Sequence, residues 1–230
     1  MPETGEEPVS IPAGKLKLEG NLGVPPHARG LVLFAHGSGS SRFSPRNRSV
    51  ARVLRDAGIA TLLFDLLTPA EEAEDMHTAR LRFDIELLSR RLVQATDWAQ
   101  QGPETAALRP GYFGASTGAA AALVAAAERP DTVYAVVSRG GRPDLAFKAL
   151  PLVKAPTLLI VGGLDDAVID LNRKALEKLN GEKKLVIVPG ATHLFEEPGA
   201  LEQVARFAVN WFENYLGSGE VRAETERSTT

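Results

Sequence analysis

Gly114-Ala115-Ser116-Thr117-Gly118 joins an apolar run that ends at Phe113 to an alanine-rich run that extends to about Glu128. A sharp turn from a strand into a helix brings backbone segments close together, so the residues that flank its central serine must be small. Gly114, Ala115 and Gly118 meet that requirement. The pattern therefore predicts a nucleophile elbow, a turn that exposes the Ser116 hydroxyl at the end of a strand.

The predicted helix after the elbow runs from Thr117 to about Glu128, just before Pro130. Its first N–H groups and its dipole point toward the Ser116 hydroxyl, where negative charge develops during acyl transfer. The alternative for an isolated five-residue match is a small-residue turn without chemistry. The rest of the chain has to decide between the two interpretations.

Composition places the chain among globular α/β domains. With 230 residues, of which 44% are hydrophobic and 24% charged, it is long enough for one domain with a sizeable core. The net charge of -3 argues against nucleic acid and against an anionic membrane surface as partners. The absence of cysteine excludes disulfides, thiolate metal sites and a cysteine nucleophile.

The domain organisation follows from composition at the two ends. We expect an N-terminal extension at residues 1–14, one domain at residues 15–216 and a disordered C-terminal tail at residues 217–230. The first residues are acidic and lack the apolar region of a secretion signal, so a cytoplasmic location is expected. No apolar stretch reaches the roughly 20 residues that span a bilayer.

Strand and helix patterns alternate along the chain, which predicts an α/β fold with a mostly parallel sheet and helices on both faces. An amphipathic strand is expected around residues 16–20. The later strands are predicted at residues 31–35, 61–65, 111–113, 133–137, 157–161 and 184–188.

Helices are predicted from apolar residues at helical spacing. One begins with Ser44 as N-cap and Pro45 in the first turn, and a long one spans Ala79 to Gln100. The segment from Leu66 to Thr78 is expected to be a loop with solvated acidic residues. Since this is the longest predicted loop, no large cap domain is expected.

Candidate catalytic residues follow the elbow in the order serine, acid, histidine. Asp165 comes directly after the strand predicted at 157–161, and His193 comes after the strand predicted at 184–188. The carboxyl ends of parallel strands share one edge of the sheet, so Ser116, Asp165 and His193 are expected to lie together. A turn-forming aspartate and a solvated histidine are the alternatives, and Asp166 competes with Asp165 as the acid.

An oxyanion hole needs two backbone N–H groups. Thr117 is the first expected donor, and Ser38, in the loop after His36-Gly37, is the second, with Gly39 next in order. His36 is expected to have a structural role. His27 and His77 are expected to be exposed.

Arginines near these segments are candidates for holding a carboxylate or phosphate of the substrate. Arg42 follows the loop that contains Gly39, and Arg139 follows the strand after the elbow helix. We expect Gly39, Arg42 and Arg139 to bind substrate, with solvated surface arginines as the alternative. No metal site is expected.

The four segments around these residues resemble the α/β-hydrolase superfamily and, more narrowly, its small dienelactone-hydrolase-like members. The resemblance extends over about residues 15–216. It rests on His36-Gly37-Ser38-Gly39, Gly114-Ala115-Ser116-Thr117-Gly118, Gly162-Gly163-Leu164-Asp165 and Gly190-Ala191-Thr192-His193. Dienelactone hydrolases proper use a cysteine nucleophile where this chain has Ser116.

What the resemblance implies is a serine esterase that forms an acyl-enzyme on small carboxylic esters without a cofactor. Ser116 would be the nucleophile, His193 the base and then the acid, and Asp165 the residue that orients the imidazole. Two alternatives remain open, a non-metal haloperoxidase or perhydrolase with the same triad and a non-catalytic binding protein on a hydrolase scaffold. The expected partner is a small-molecule ester, with no nucleic acid and no membrane.

Overall fold

An eight-stranded sheet lies at the centre of the protein, in a computed structural model that describes residues 5–217. The strand order is β1-β2-β4-β3-β5-β6-β7-β8, and only β2 runs against the other strands. The predicted mostly parallel α/β-hydrolase fold is confirmed, and residues 5–217 contain no large cap domain. The strands are β1 Glu7–Ala13, β2 Leu16–Gly23, β3 Leu31–Ala35, β4 Ala60–Phe64, β5 Pro110–Ala115, β6 Ala135–Arg139, β7 Thr157–Gly162 and β8 Lys183–Val188.

Helices cover both faces of this sheet. Two of them bury their apolar sides in the core on one face, and three pack in the core on the other. The first group is α1 Pro45–Asp56 and α6 Ala200–Leu216, and the second is α3 Ile85–Ala99, α4 Thr117–Glu128 and α5 Asp166–Lys178. The predicted Ser44 cap is confirmed, since its side chain accepts from the Asn47 N–H at 3.4 Å.

The N-terminal segment forms a strand of the sheet instead of an extension ahead of the domain. All seven residues of β1 pair with β2. Ile11 is fully buried in the core shared with α3. The alternation of inward and outward side chains in a half-buried strand explains why β1 looked polar in the sequence.

A helix also occupies the segment that we expected to be a loop between Leu66 and Thr78. This helix, α2 Pro69–Thr78, begins with a capping box in which Thr68 and Glu71 exchange hydrogen bonds, and with proline at its first position. Its acidic residues are not all solvated. The Asp75 side chain is buried and accepts hydrogen bonds from the N–H groups of Leu81 and Arg82.

The long helix predicted from Ala79 to Gln100 is wrong in its first six residues. Ala79 has φ 52, so α2 ends there in a left-handed conformation, and a single 3₁₀ turn follows at Leu81–Phe83. Asp84 then caps α3 by accepting from the Leu87 N–H at 2.9 Å. The apolar stripe continued through the break, which hid the boundary from periodicity alone.

Strand β6 begins and ends two residues later than predicted. The sequence favoured 133–137, whereas the strand is Ala135–Arg139. Arg139 is therefore the last residue of a central strand, where only 5% of it is exposed. This shift moves its side chain from the expected surface loop into the sheet edge.

Residues 218–230, which hold most of the predicted tail, lie outside the described residues. Within residues 5–217, each helix is too short or too polar to cross a membrane.

Replacing Ile11 by alanine tests whether β1 is part of the folded domain. Because the side chain is fully buried, the variant is expected to lose about 2–5 kcal/mol of unfolding free energy in urea denaturation. Leu16→Ala, at a residue that is 41% exposed, is the matched control and is expected to change stability by less than about 0.5 kcal/mol. Equal, small effects of both substitutions would show that the domain does not need this strand.

Candidate active site

Ser116 occupies the turn between β5 and α4 and has a backbone φ of 52°. A positive φ is strained for a residue with a side chain, and such strain is concentrated at functional sites. A hydrogen bond to the neighbouring strand β6 holds this turn in place, because the Ser116 N–H donates to the Arg139 carbonyl at 3.2 Å. The Ser116 side chain is half-buried at the carboxyl edge of the sheet.

The second glycine of the elbow lets α4 begin directly against β3. A Cβ at Gly118 would lie 2.1 Å from the Ala35 carbonyl oxygen and 2.5 Å from that of His36. Only a residue without a side chain fits this contact. The close approach brings the start of α4 beside the loop that follows β3.

Asp165 and His193 form a hydrogen-bonded pair at the same edge of the sheet. Asp165 follows β7 and precedes α5, while His193 lies in the loop after β8. The His193 Nδ1 is 2.6 Å from the Asp165 Oδ2, so Nδ1–H donates to the carboxylate. Asp166, the alternative acid, is exposed in the first turn of α5, and among the described residues it makes no hydrogen bond or ion pair with the imidazole, which pairs with Asp165.

The loop that carries His193 is fixed on both sides of the histidine. The Thr192 N–H donates to the Glu197 carboxylate at 3.1 Å. A hydrogen bond from the Thr192 side chain, with smaller contributions from the backbone N–H groups of Glu197 and Thr192, lowers the pKa of Glu197. Phe195 has φ 56 and a fully buried ring, which anchors the far side of the loop. Gly140, also at positive φ, lies against the imidazole, since a Cβ there would sit 3.4 Å from the His193 Cε1.

A pocket of about 190 Å³ lies where the elbow, the loop after β3 and the loop after β8 meet. Ser116 and His193 both line it, together with Gly37, Ser38 and Arg139. Within the part of the chain that the structure describes, the Ser116 and His193 side chains make no hydrogen bond to each other. Catalytic hydrogen bonds of this kind often tighten only when substrate binds.

The two expected oxyanion donors differ in availability. Thr117 is the first residue of α4, so its backbone N–H has no acceptor inside the helix. In contrast, the Ser38 N–H, the second expected donor, already donates to the Thr117 Oγ1 at 3.0 Å. The two hydroxyls also lie 3.0 Å apart, so Thr117 ties the loop after β3 to the start of α4.

The arginine and glycine expected near the oxyanion loop do not line the Ser116 pocket. The Arg42 guanidinium forms an ion pair with Asp65, and the backbone N–H of Arg42 donates to the same carboxylate at 2.7 Å. Gly39 lines a different cavity. Of the three residues expected to bind substrate, the structure brings only Arg139 beside Ser116.

That second cavity, of about 310 Å³, lies on the other side of the loop after β3. It shares Gly37, Ser38 and Ser40 with the smaller pocket. Its wall is largely apolar and comes from the end of β4, from α2 and from α3, including Leu66, Leu67, Met76 and Leu88. Thr117 also lines it, so the cavity reaches the start of α4.

His36 has the structural role that we expected. Its Nε2 accepts from the Leu66 N–H at 3.0 Å, and its Nδ1 lies 3.0 Å from the Gly37 carbonyl, which fixes the neutral ring with the proton on Nδ1. Burial lowers the pKa of His36, and the Gly37 carbonyl and the Asp65 charge only partly oppose that effect. His27 and His77 are exposed, as predicted.

One buried residue of the site had no signal in the sequence. Asn47 is buried under the pocket, and its Oδ1 accepts from the Arg139 Nη2 at 3.3 Å. Arg46 lines the pocket and pairs with Glu196 at 2.9 Å. Among the described residues, no group of three His, Cys, Asp or Glu side chains is arranged to hold a metal ion.

With this geometry in view, similarity to known proteins is informative. The sequence profile of the dienelactone hydrolase family matches residues 19–216, almost the whole sheet and its helices. The chain belongs to the dienelactone hydrolase family. It has the α/β-hydrolase fold.

Solved structures agree with this assignment. A dienelactone hydrolase from Anabaena variabilis is 66% identical, with a TM-score of 0.90 over 92% of this chain and 98% of that one. Est1E from Butyrivibrio proteoclasticus has a TM-score of 0.77 at 17% identity, over 90% of this chain and 98% of that one, which is a likeness of fold alone.

A curated relative has a different name. A putative phosphoribosyl transferase of Mycobacterium tuberculosis is 58% identical over 215 residues, which are 94% of this chain but 48% of that protein. The chain thus spans about half the length of this curated relative. The alignment with this relative covers 94% of the chain and so overlaps residues 19–216, the part that matches the dienelactone hydrolase family.

Burial of neutral His36 predicts a pH dependence of stability. Since its pKa in the folded protein is lower than about 6.5, the unfolded chain binds the proton first as the pH falls. The free energy of unfolding is therefore expected to fall as the pH drops through about 6.5 toward the lower folded pKa. His36→Gln keeps an acceptor for the Leu66 N–H but cannot titrate, so its loss of stability on acidification is expected to be smaller.

Urea denaturation between pH 8 and pH 5 measures this difference. His77→Gln, at an exposed histidine, serves as the control and is expected to keep the wild-type pH dependence. An unchanged slope in His36→Gln would contradict the assignment of the titration to His36.

Proposed function

We propose that this hydrolase cleaves small carboxylic esters through an acyl-enzyme on Ser116. The observation that carries the proposal is the 2.6 Å hydrogen bond between Asp165 and His193, beside a pocket that His193 and the strained Ser116 both line. Nucleophile, base and orienting acid then have the arrangement that activates a serine.

The reaction begins with proton transfer. With Nδ1–H donated to Asp165, the Nε2 of His193 is left as the acceptor for the Ser116 proton. The Ser116 Oγ attacks the ester carbonyl, and the tetrahedral intermediate collapses as His193 returns the proton to the leaving alcohol. A water molecule, activated by the same imidazole, then releases the carboxylic acid and restores Ser116.

The developing oxyanion is stabilised from the start of α4. The Thr117 N–H is the first donor, and it lies at the positive end of the helix dipole. The Ser38 N–H is the second donor in this proposal. Because it already donates to the Thr117 Oγ1, it would serve the oxyanion through a three-centre hydrogen bond.

Serine instead of cysteine directs the proposal toward esters. A serine hydroxyl depends on the base, because it is far less acidic than a thiol, and the pairing of His193 with Asp165 supplies that base. The neighbouring apolar cavity of about 310 Å³ gives room for a small apolar acyl or alcohol group. We also propose that the protein acts in the cytoplasm, as the acidic N-terminal sequence led us to expect.

Activity-based labelling tests the nucleophile. A fluorophosphonate probe is expected to label Ser116, and Ser116→Ala and His193→Ala are expected to lower kcat on p-nitrophenyl esters about 10⁴- to 10⁶-fold. Mass spectrometry of the labelled peptide identifies the modified residue. Esters of rising acyl length measure what the two pockets accept.

The controls separate esterase from the alternatives. Asp166→Asn is the matched control for Asp165→Asn, because only Asp165 contacts the imidazole. Labelling at another residue, or full activity of Ser116→Ala, would overturn the mechanism. Acetate-dependent bromination by peroxide, in place of ester hydrolysis, would indicate a perhydrolase.

Gly140→Ala tests whether the imidazole position controls the reaction. The new Cβ would lie 3.1 Å from the His193 carbonyl oxygen, so the backbone that carries the imidazole has to shift by a few tenths of an ångström, while the ring atom Cε1 would be in ordinary contact at 3.4 Å. Displacement of a catalytic group by about 1 Å costs on the order of 100-fold in rate, so this smaller shift is expected to lower kcat for ester hydrolysis by about 3- to 10-fold.

Gly199→Ala provides the comparison. Gly199 also has a positive φ, of 79°, but nothing lies within 4 Å of its added Cβ. The backbone cost is therefore similar, while the imidazole is untouched. If both variants lose activity equally, strain rather than contact with His193 explains the effect.

A further inference from the structure

The turn after β3, which holds the second oxyanion donor, has few contacts of its own. The Ser40 N–H closes it by donating to the Gly37 carbonyl at 3.1 Å, and Gly39 has φ 66. Ser38 and Gly39, the central residues, are exposed. An exposed turn of small residues is mobile unless another segment holds it. The Ser38 N–H therefore needs a tether if it is to stay aimed at one point.

Thr117 supplies this tether from the start of α4. Its Oγ1 accepts from the Ser38 N–H at 3.0 Å and lies 3.0 Å from the Ser38 Oγ, so two hydrogen bonds join the two residues. In the described part of the chain, the one other hydrogen bond of Ser38 runs from its hydroxyl to the Arg82 carbonyl, at 3.5 Å. Thr117 is 3% exposed, so the acceptor is held firmly although the turn is not.

The position of Thr117 in α4 leaves its hydroxyl available for this contact. A threonine inside a helix often donates to a carbonyl three or four residues earlier, in the preceding turn. Thr117 is the first residue of α4, so no earlier helical turn competes for its hydroxyl. The contact of Gly118 with the Ala35 and His36 carbonyls fixes the backbone on the other side.

One residue thus carries both the first oxyanion donor and the acceptor that holds the second. In a threonine, the backbone nitrogen and the Oγ1 are about 3–4 Å apart, depending on the rotamer. Because the Ser38 nitrogen is 3.0 Å from the same Oγ1, the nitrogens of Ser38 and Thr117 are at most about 7 Å apart. Any bend in this path brings them within the roughly 6 Å that a single oxyanion, about 3 Å from each donor, can bridge.

We propose that the Thr117 side chain is a positioning residue, whose hydroxyl holds the Ser38 N–H beside the Thr117 N–H so that both reach the oxyanion. This inference rests on the proposed ester hydrolysis and deepens it, because it assigns a role to a side chain that makes no bond to the substrate. Donors that are held in place before the reaction need no reorganisation when the negative charge develops.

Replacing Thr117 by valine removes the hydroxyl and keeps the shape of the side chain. Loss of one oxyanion donor costs about 10²- to 10³-fold in kcat, and a misplaced donor is expected to cost less, about 10- to 100-fold on p-nitrophenyl acetate. KM is expected to change little, because the interaction develops in the transition state. Thr117→Ser keeps the hydroxyl and is expected to recover most of kcat.

A trifluoromethyl ketone, 1,1,1-trifluoropropan-2-one, measures the oxyanion hole directly. The Ser116 Oγ adds to its carbonyl carbon, the serine proton passes to His193, and the ketone oxygen becomes the oxyanion. Since the adduct resembles the tetrahedral intermediate, its Ki is expected to rise in Thr117→Val by about the factor that kcat/KM falls. Thr117→Ser is expected to bind the ketone nearly as wild type does.

Thr96→Val is the control for loss of a buried threonine hydroxyl. The Thr96 Oγ1 lies 2.8 Å from the Tyr112 hydroxyl, in the core and outside both pockets. This variant is expected to lower the Tm but to leave kcat and Ki as in wild type. If Thr117→Val lowers the Tm without changing kcat, or raises KM alone, Thr117 has a structural or substrate-contacting role and the inference is overturned.

Amide hydrogen exchange, followed by NMR at Ser38, separates this inference from the proposed function. Exchange is expected to be slow in wild type and Thr117→Ser and faster in Thr117→Val, and this readout needs no turnover. Slow exchange in a protein whose Ser116 resists the fluorophosphonate probe would overturn ester hydrolysis and leave the tether standing. Equal exchange in wild type and Thr117→Val, with normal labelling of Ser116, would contradict the tether and leave ester hydrolysis standing.

Discussion

The hydrogen bond between the His193 Nδ1 and the Asp165 carboxylate is the contact on which the candidate site depends. It selects the tautomer in which Nε2 is free to accept a proton, and it turns the imidazole toward the pocket. Two supports outside the pair hold the ring there. The Glu197 carboxylate fixes the Thr192 N–H before the histidine, and the backbone of Gly140 lies against the ring.

The sheet brings these groups together without any long insertion. β5, β7 and β8 run parallel, so the residues that follow them emerge at one edge. Gly118 adds the remaining element, because α4 touches the carbonyls at the end of β3 and so comes next to the Gly37–Ser38 loop. The elbow and this loop thus form one continuous surface around Ser116.

Local patterns in the sequence were enough to predict the fold, the elbow and the edge at which Ser116, Asp165 and His193 meet. The failures have physical causes. The Thr68–Glu71 capping box was a local sign of α2, but the acidic run suggested a loop instead. The bond from Ser38 to Thr117 joins residues 79 positions apart, and the burial of Arg139 depends on where β6 ends. No local pattern encodes either, and the catalytic roles of the three residues stay predictions.

The loop after β3 borders two spaces of different size. Gly37, Ser38 and Ser40 line both, with Ser116 and Arg139 at the smaller space and the leucines of the larger cavity on the other. An elongated substrate of the proposed hydrolysis that crosses this loop would meet a different set of side chains at each end. Which of two carbonyls in an unsymmetrical diester reaches Ser116 would then depend on the scaffold as well as on the reacting groups.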